Sequence, residues 1–113
     1  MPPRKIIIIH KSIEKYLDKV NKEDFKKLYS RIIKLAENGT SIIEGRTYKI
    51  IKIKSKIKHS IIQIKIITEK YRIHTALTNN YLYLLHAFDK KSNKTHINDI
   101  NISLERIKMI TKL

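Results

Sequence analysis

The hydrophobic period of this chain changes once, near Tyr48, and that change constrains the fold more than any other feature. Before it, apolar residues recur at three- to four-residue spacing; after it they alternate strand-fashion as far as Phe88. Helices first and a sheet second make an α+β arrangement. A chain of 113 residues builds one core, so residues 1–113 are expected to form a single domain.

The helical half follows Ile6–Ile9, a β-branched run suited to a short strand buried on both faces. Ser12 is placed to cap a helix that carries Ile13, Tyr16, Leu17 and Val20 on one stripe. Asn21 caps the next helix, with Glu23 and Asp24 in the first turn, where the helix dipole favours negative charge. That helix aligns Phe25, Leu28, Tyr29, Ile32, Leu35 and Ala36, then stops at Asn38-Gly39. Together they predict an antiparallel helical hairpin.

In the alternating half, Tyr48 to Ile57 interleaves isoleucine with lysine, and Ser60–Ile67, Tyr71–Thr78 and Tyr81–Phe88 read as three further strands. Asn79-Asn80 fits a two-residue turn because asparagine tolerates positive φ. The Thr68–Lys70 link is also short, so these strands are expected to form an antiparallel meander. Ile97, Ile100, Leu104 and Ile107 recur at helical spacing and predict a short C-terminal helix.

Turn length then assigns faces. A tight Asn79-Asn80 turn pairs Thr78 with Tyr81, Arg72 with Ala87 and His74 with Leu85. The other hairpin reads as pairing Ile67 with Arg72 and Lys65 with His74. One face then collects Ile62, Ile64, Ile66, Ile73, Leu77, Leu82, Leu84 and Phe88, a core to be covered by the two helices. The other collects Gln63, Lys65, Arg72, His74, Tyr83 and, if the strand continues, Lys91. It reads as a platform for a polyanion, against the plainer reading of a solvated sheet face.

Charge keeps the first reading open beside the second. Twenty-five lysines and arginines face ten carboxylates, a formal net charge of +15, and fields of that sign attract nucleic acid or anionic membrane. Neither an apolar span nor a basic amphipathic helix is evident, so no membrane partner is expected. Lys52, Lys54, Lys56 and Lys58 form a rail for RNA phosphates, or else a solvated edge that discourages aggregation. The absence of cysteine removes disulfides and a thiolate nucleophile and accords with a cytoplasmic location. His10, His59 and His96 lack metal-ligand spacing, so no metal is expected. His86 falls on the core face in this register and reads as structural, Tyr16 and Tyr29 as packing, and Asp89 as an ion-pair partner of Lys91 or Arg72.

Ile61 to Ile107 resembles the RelE/HigB superfamily of type II toxins, most closely its phage-derived HigB-like branch. The resemblance rests on Gln63-Ile64-Lys65, Tyr71-Arg72-Ile73, the strand end Leu84-Leu85-His86-Ala87-Phe88-Asp89-Lys90-Lys91, the loop Ser92-Asn93-Lys94-Thr95, and Ile100…Leu104…Arg106. Gln63 and Lys65 stand where the branch usually has Glu and Arg, and His96 where proline is common; Lys65 keeps charge but loses the bidentate fork. The resemblance implies a RelE-like fold, with the helical hairpin packed on an antiparallel sheet. It also implies a metal- and cofactor-independent endoribonuclease that enters the ribosomal A site and cleaves translated mRNA through attack of a ribose 2′-OH. A cognate antitoxin would neutralise it. Lys65, Arg72, His74 and Lys91 would carry the chemistry, with Arg72 on the scissile phosphate and His74 as base or acid. Lys90 and Lys94 would hold flanking phosphates or ribosomal RNA, and Tyr83 would stack on a base. A ParE-like DNA gyrase inhibitor and a catalytically inactive RNA-binding relative share the fold and stand as alternatives.

Overall fold

Five strands form one sheet in the computed structural model, which describes residues 4–42, 48–51, 61–65, 70–90 and 97–111. Strand β1 (Ile6–Ile9) is followed by helices α1 (Lys11–Asp18) and α2 (Lys22–Asn38), a 3-10 turn (Gly39–Ile42), and strands β2 (Tyr48–Ile51), β3 (Ile61–Lys65), β4 (Tyr71–Leu77) and β5 (Tyr81–Asp89). Helix α3 (Ile97–Thr111) closes the order. The sheet runs β1-β5-β4-β3-β2; β1 is parallel to β5 and every other pair is antiparallel. The expected meander of β3, β4 and β5 is present, and β1 makes the sheet mixed rather than purely antiparallel.

Two N-terminal expectations change. Because β1 lies at the sheet edge, it is not buried on both faces: Ile6 is 58% exposed, and only Ile7 packs on the core. Helix α1 begins two residues earlier than Ser12 as cap would require, and His10 is the N-cap, its Nδ1 accepting from the Ser12 N–H. Asn21 caps α2 as anticipated, its Oδ1 accepting from the Asp24 N–H at 2.9 Å. Gly39 ends that helix at φ 61°, a conformation that side chains with a Cβ rarely adopt.

One face of the sheet packs on both N-terminal helices. Ile13, Leu28, Ile32, Leu35 and Ala36 meet Ile73, Leu82 and Leu84 in a single apolar cluster. Phe25 and Tyr29 do not join it: they lie exposed and stacked on each other with ring centroids 6.0 Å apart. Tyr16 stays partly buried, edge-on to Tyr71.

The opposite face is not an open platform. Helix α3 lies on it, and Ile107 packs with Ala76 and Leu85, flanked by Tyr83, Ile100 and Leu104. Ile97 sits outside this contact at 74% exposure.

The register explains how α3 is seated. Near the turn, Leu77 pairs with Leu82 and Thr75 with Leu84, as a two-residue turn demands. A β-bulge then leaves Leu85 unpaired, so His74 faces His86 and Arg72 faces Phe88, in place of Leu85 and Ala87. His86 and Phe88 therefore move off the expected core face, and Ala87 takes the place beside Ile73. On the other side, Lys65 pairs with Arg72 and Gln63 with His74, two residues away from the expected register. The expected strand ends at 52–57 and 66–67 lie outside the described residues.

Arg106 of α3 reaches the bulge. Its Nη1 donates to the Leu85 carbonyl at 2.6 Å and to Ser12 Oγ at 3.0 Å, joining α3, β5 and the start of α1. Removing a donor from a buried carbonyl costs about 1–3 kcal/mol. Arg106→Met is expected to lower unfolding free energy by about that amount, read from the urea midpoint; an unchanged midpoint would show that the bulge stands without it.

Candidate functional site

Alternation along β4 sends Arg72 and His74 to the α3 side, and the bulge in β5 adds His86 and Phe88. Helix α3 brings Asp99 and Ser103 down on them, one turn apart. His74 is fully buried, and its Nδ1 lies 2.8 Å from Ser103 Oγ, which in turn donates to the Asp99 carbonyl. His86 Nε2 lies 2.8 Å from Asp99 Oδ1, and a carboxylate there fixes the ring proton on Nε2. Phe88 completes the cluster, edge-on to His74 at 4.9 Å and stacked on His86 at 5.1 Å.

These surroundings give the two histidines different chemistry. Burial, seconded by His86, pulls His74 from 6.5 to about 4, with Asp99 opposing, so His74 is neutral at neutral pH. With no exposed surface, its ring does not reach RNA in this arrangement; it holds α3 to the sheet. His86 keeps 14% of its side chain exposed. Among the described residues nothing bonds its Nδ1.

Cations gather at the end of the sheet beyond this cluster. Lys65 stands opposite Arg72, whose Nη1 donates to the Tyr71 carbonyl and which is 6% exposed. The Lys90 N–H donates to the Lys70 carbonyl, and Lys70 Nζ lies 5.2 Å from the Tyr71 ring centre. Asp89 takes a hydrogen bond from the Tyr16 hydroxyl, and Lys91, one of its expected ion-pair partners, lies outside the described residues; burial and that bond raise the Tyr16 pKa.

The structure thus brings Lys65, Arg72 and Lys90 to one sheet end, with His74 in the adjacent row. Tyr83 is elsewhere: it pairs with Ala76 and packs under α3, four β4 residues from Arg72. Lys52, Lys54, Lys91 and Lys94 lie outside the described residues. A further basic groove runs along α2, lined by Lys26, Lys27, Ser30, Arg31 and Lys34 together with Tyr48, whose hydroxyl donates to the Arg31 carbonyl at 2.8 Å.

Asp99 and Ser103 carry no sequence motif of their own, and Arg106 enters from sequence only as part of the family resemblance. Their i, i+4, i+7 spacing makes a polar stripe beside the apolar Ile100, Leu104 and Ile107, and that stripe was the available signal.

With this geometry in view, comparison with known proteins is decisive for ancestry. Residues 15–108 match the family model described as phage-derived protein Gp49-like. The chain belongs to the Gp49-like family. That family is the phage-derived branch of the RelE/HigB toxin superfamily, as the strand motifs indicate. The fold agrees: a chain of the archaeal RelE–RelB complex from Pyrococcus horikoshii OT3 superposes with a TM-score of 0.60 at 13% identity, covering 77% of this chain and 96% of that one. No curated protein matches.

His74 gives this Gp49-like chain a defined acid response. Its folded pKa is depressed, so its contribution is complete above 6.5 and is lost as pH falls toward 4. The loss is of the order of 3 kcal/mol for such a shift. Urea unfolding at pH 7 and pH 4.5 should show a smaller decline for His74→Asn than for the wild type; equal declines would remove His74 as the sensor.

Proposed function

We propose that this protein is the toxin of a type II toxin–antitoxin pair that acts in the cytoplasm as a ribosome-dependent mRNA endonuclease. The observation that carries this reading is the pairing of Lys65 with Arg72 on adjacent strands of a RelE-like sheet. Cationic residues at paired positions on adjacent strands suit a phosphate, and backbone-fixed cations need no reorganisation as charge builds on phosphorus.

In the proposed reaction a ribose 2′-OH attacks the adjacent phosphorus, the bond to the 5′ oxygen breaks, and a 2′,3′-cyclic phosphate remains. Arg72 supplies two parallel donors to the phosphoryl oxygens, and Lys65 adds a point charge. Lys91 adds a second point charge at that phosphate, and Lys90 and Lys94 serve the flanking backbone. The α2 groove, together with the Lys52 and Lys54 segment, supplies further charge for ribosomal RNA. The archaeal relative was solved as a RelE–RelB complex, and the proposal includes a cognate antitoxin for this chain.

Primer extension on a reporter mRNA in a cell-free translation mixture, with and without ribosomes, tests this. New 5′ ends that require ribosomes are expected, and Arg72→Ala should lower their rate by about 10²–10³-fold. Arg72→Lys should fall between, since it keeps charge and loses the fork. Cleavage of naked RNA would remove the ribosome as obligatory partner. Intact transcripts throughout would sink the nuclease and favour gyrase contact or an inactive relative.

A further inference from the structure

The geometry points to His86 as the general base of the cleavage reaction, with Asp99 as its positioning residue; this rests on the nuclease reading above. Sequence register had set His86 in the core, and the bulge at Leu85 turns it to the face that carries Arg72.

Three features fit the role. First, Asp99 Oδ1 holds the Nε2 proton at 2.8 Å, so the neutral ring presents its lone pair at Nδ1. Second, Nδ1 has no partner among the described residues, while the side chain keeps 14% of its surface open. Third, His86 precedes Phe88, the cross-strand partner of Arg72, by two residues. One such strand repeat is roughly 7 Å, the scale of a nucleotide whose phosphate sits on Arg72. His74 shares the third feature but fails the second: its Nδ1 is taken by Ser103 and its ring is fully buried.

The step balances simply. The 2′ oxygen loses its proton to His86 Nδ1 as it bonds to phosphorus. The 5′ oxygen leaves with the P–O bond pair and takes a proton from water. The imidazolium, stabilised by Asp99, then returns its proton to solvent. Among the described residues, the charged and titratable groups around His86 are Asp99 and Arg106 on α3, His74 on β4 and His10 at the start of α1.

Single-turnover cleavage on programmed ribosomes, followed across pH 5.5–8.5, tests the assignment. His86→Asn is expected to lower the rate constant by about 10²–10⁴-fold, leave the half-saturating ribosome concentration unchanged, and abolish the acidic limb of the pH profile. Asp99→Asn should slow cleavage at least tenfold and move that limb, because it loosens the tautomer without removing the ring. Circular dichroism at each pH separates loss of fold from loss of base, and the wild-type acidic limb reports even if a variant unfolds. If the wild type cleaves and folded His86→Asn keeps the same rate and profile, His86 is not the base and the nuclease reading stands. If the wild type leaves all transcripts intact, both fall together.

Discussion

One extra residue in β5 sets the organisation of this molecule. Leu85 has no partner on β4, and from that point onward every side chain of β5 changes sides relative to a regular ladder. Two consecutive residues, Leu85 and His86, consequently look toward α3, one into its apolar stripe and one onto Asp99. Arg106 occupies the Leu85 carbonyl that the bulge sets free. A regular hairpin would have left α3 without its polar anchor and put an imidazole into the core.

The two helical layers consequently hold the sheet by different means. On the α1/α2 side, contact is mainly apolar, with the Tyr16 and Tyr48 hydroxyls donating to Asp89 and to the Arg31 carbonyl, and its aliphatic part tolerates changes of shape better than changes of polarity. On the α3 side, a small apolar patch is joined to a row of hydrogen bonds that runs His86–Asp99 and His74–Ser103 and ends at Arg106. Such a row fixes where α3 sits as well as whether it binds, because each bond has a direction. The positions of the imidazoles beside Arg72 therefore depend on α3, whose Asp99 lies 13 residues from His86 in sequence.

How much of this could be read from the residues alone follows the reach of each signal. Local signals served well: Asn21 as a cap, the stop at Asn38-Gly39, the Asn79-Asn80 hairpin and the antiparallel meander all depend on neighbours in sequence. The family was legible too, because Tyr71-Arg72-Ile73 and the end of β5 are contiguous. Non-local outcomes were not. Nothing in Leu84-Leu85-His86 marks which leucine will bulge, since both are buried, and one unpaired residue reverses the face of everything after it. The burial of His74 likewise depends on where a distant helix docks. Ile6–Ile9 looked like a core strand by composition alone, whereas its exposure follows from having a partner on one side only. Phe25 and Tyr29 kept the helical spacing of core residues yet lie beyond the edge of the sheet contact.

That first strand also sets a schedule for folding. Ile6 pairs with Tyr81, so about 75 residues must leave the ribosome before β1 can find its neighbour. At the usual 5–20 residues per second, this leaves an aliphatic tetrapeptide unpaired for roughly 4–15 s. Contacts of such sequence separation also slow the search for the native state. The N-terminal helices can form in that interval, because their caps and their stop are local. The sheet cannot close until β5, its last strand in sequence and the neighbour of both β1 and β4, has been synthesised.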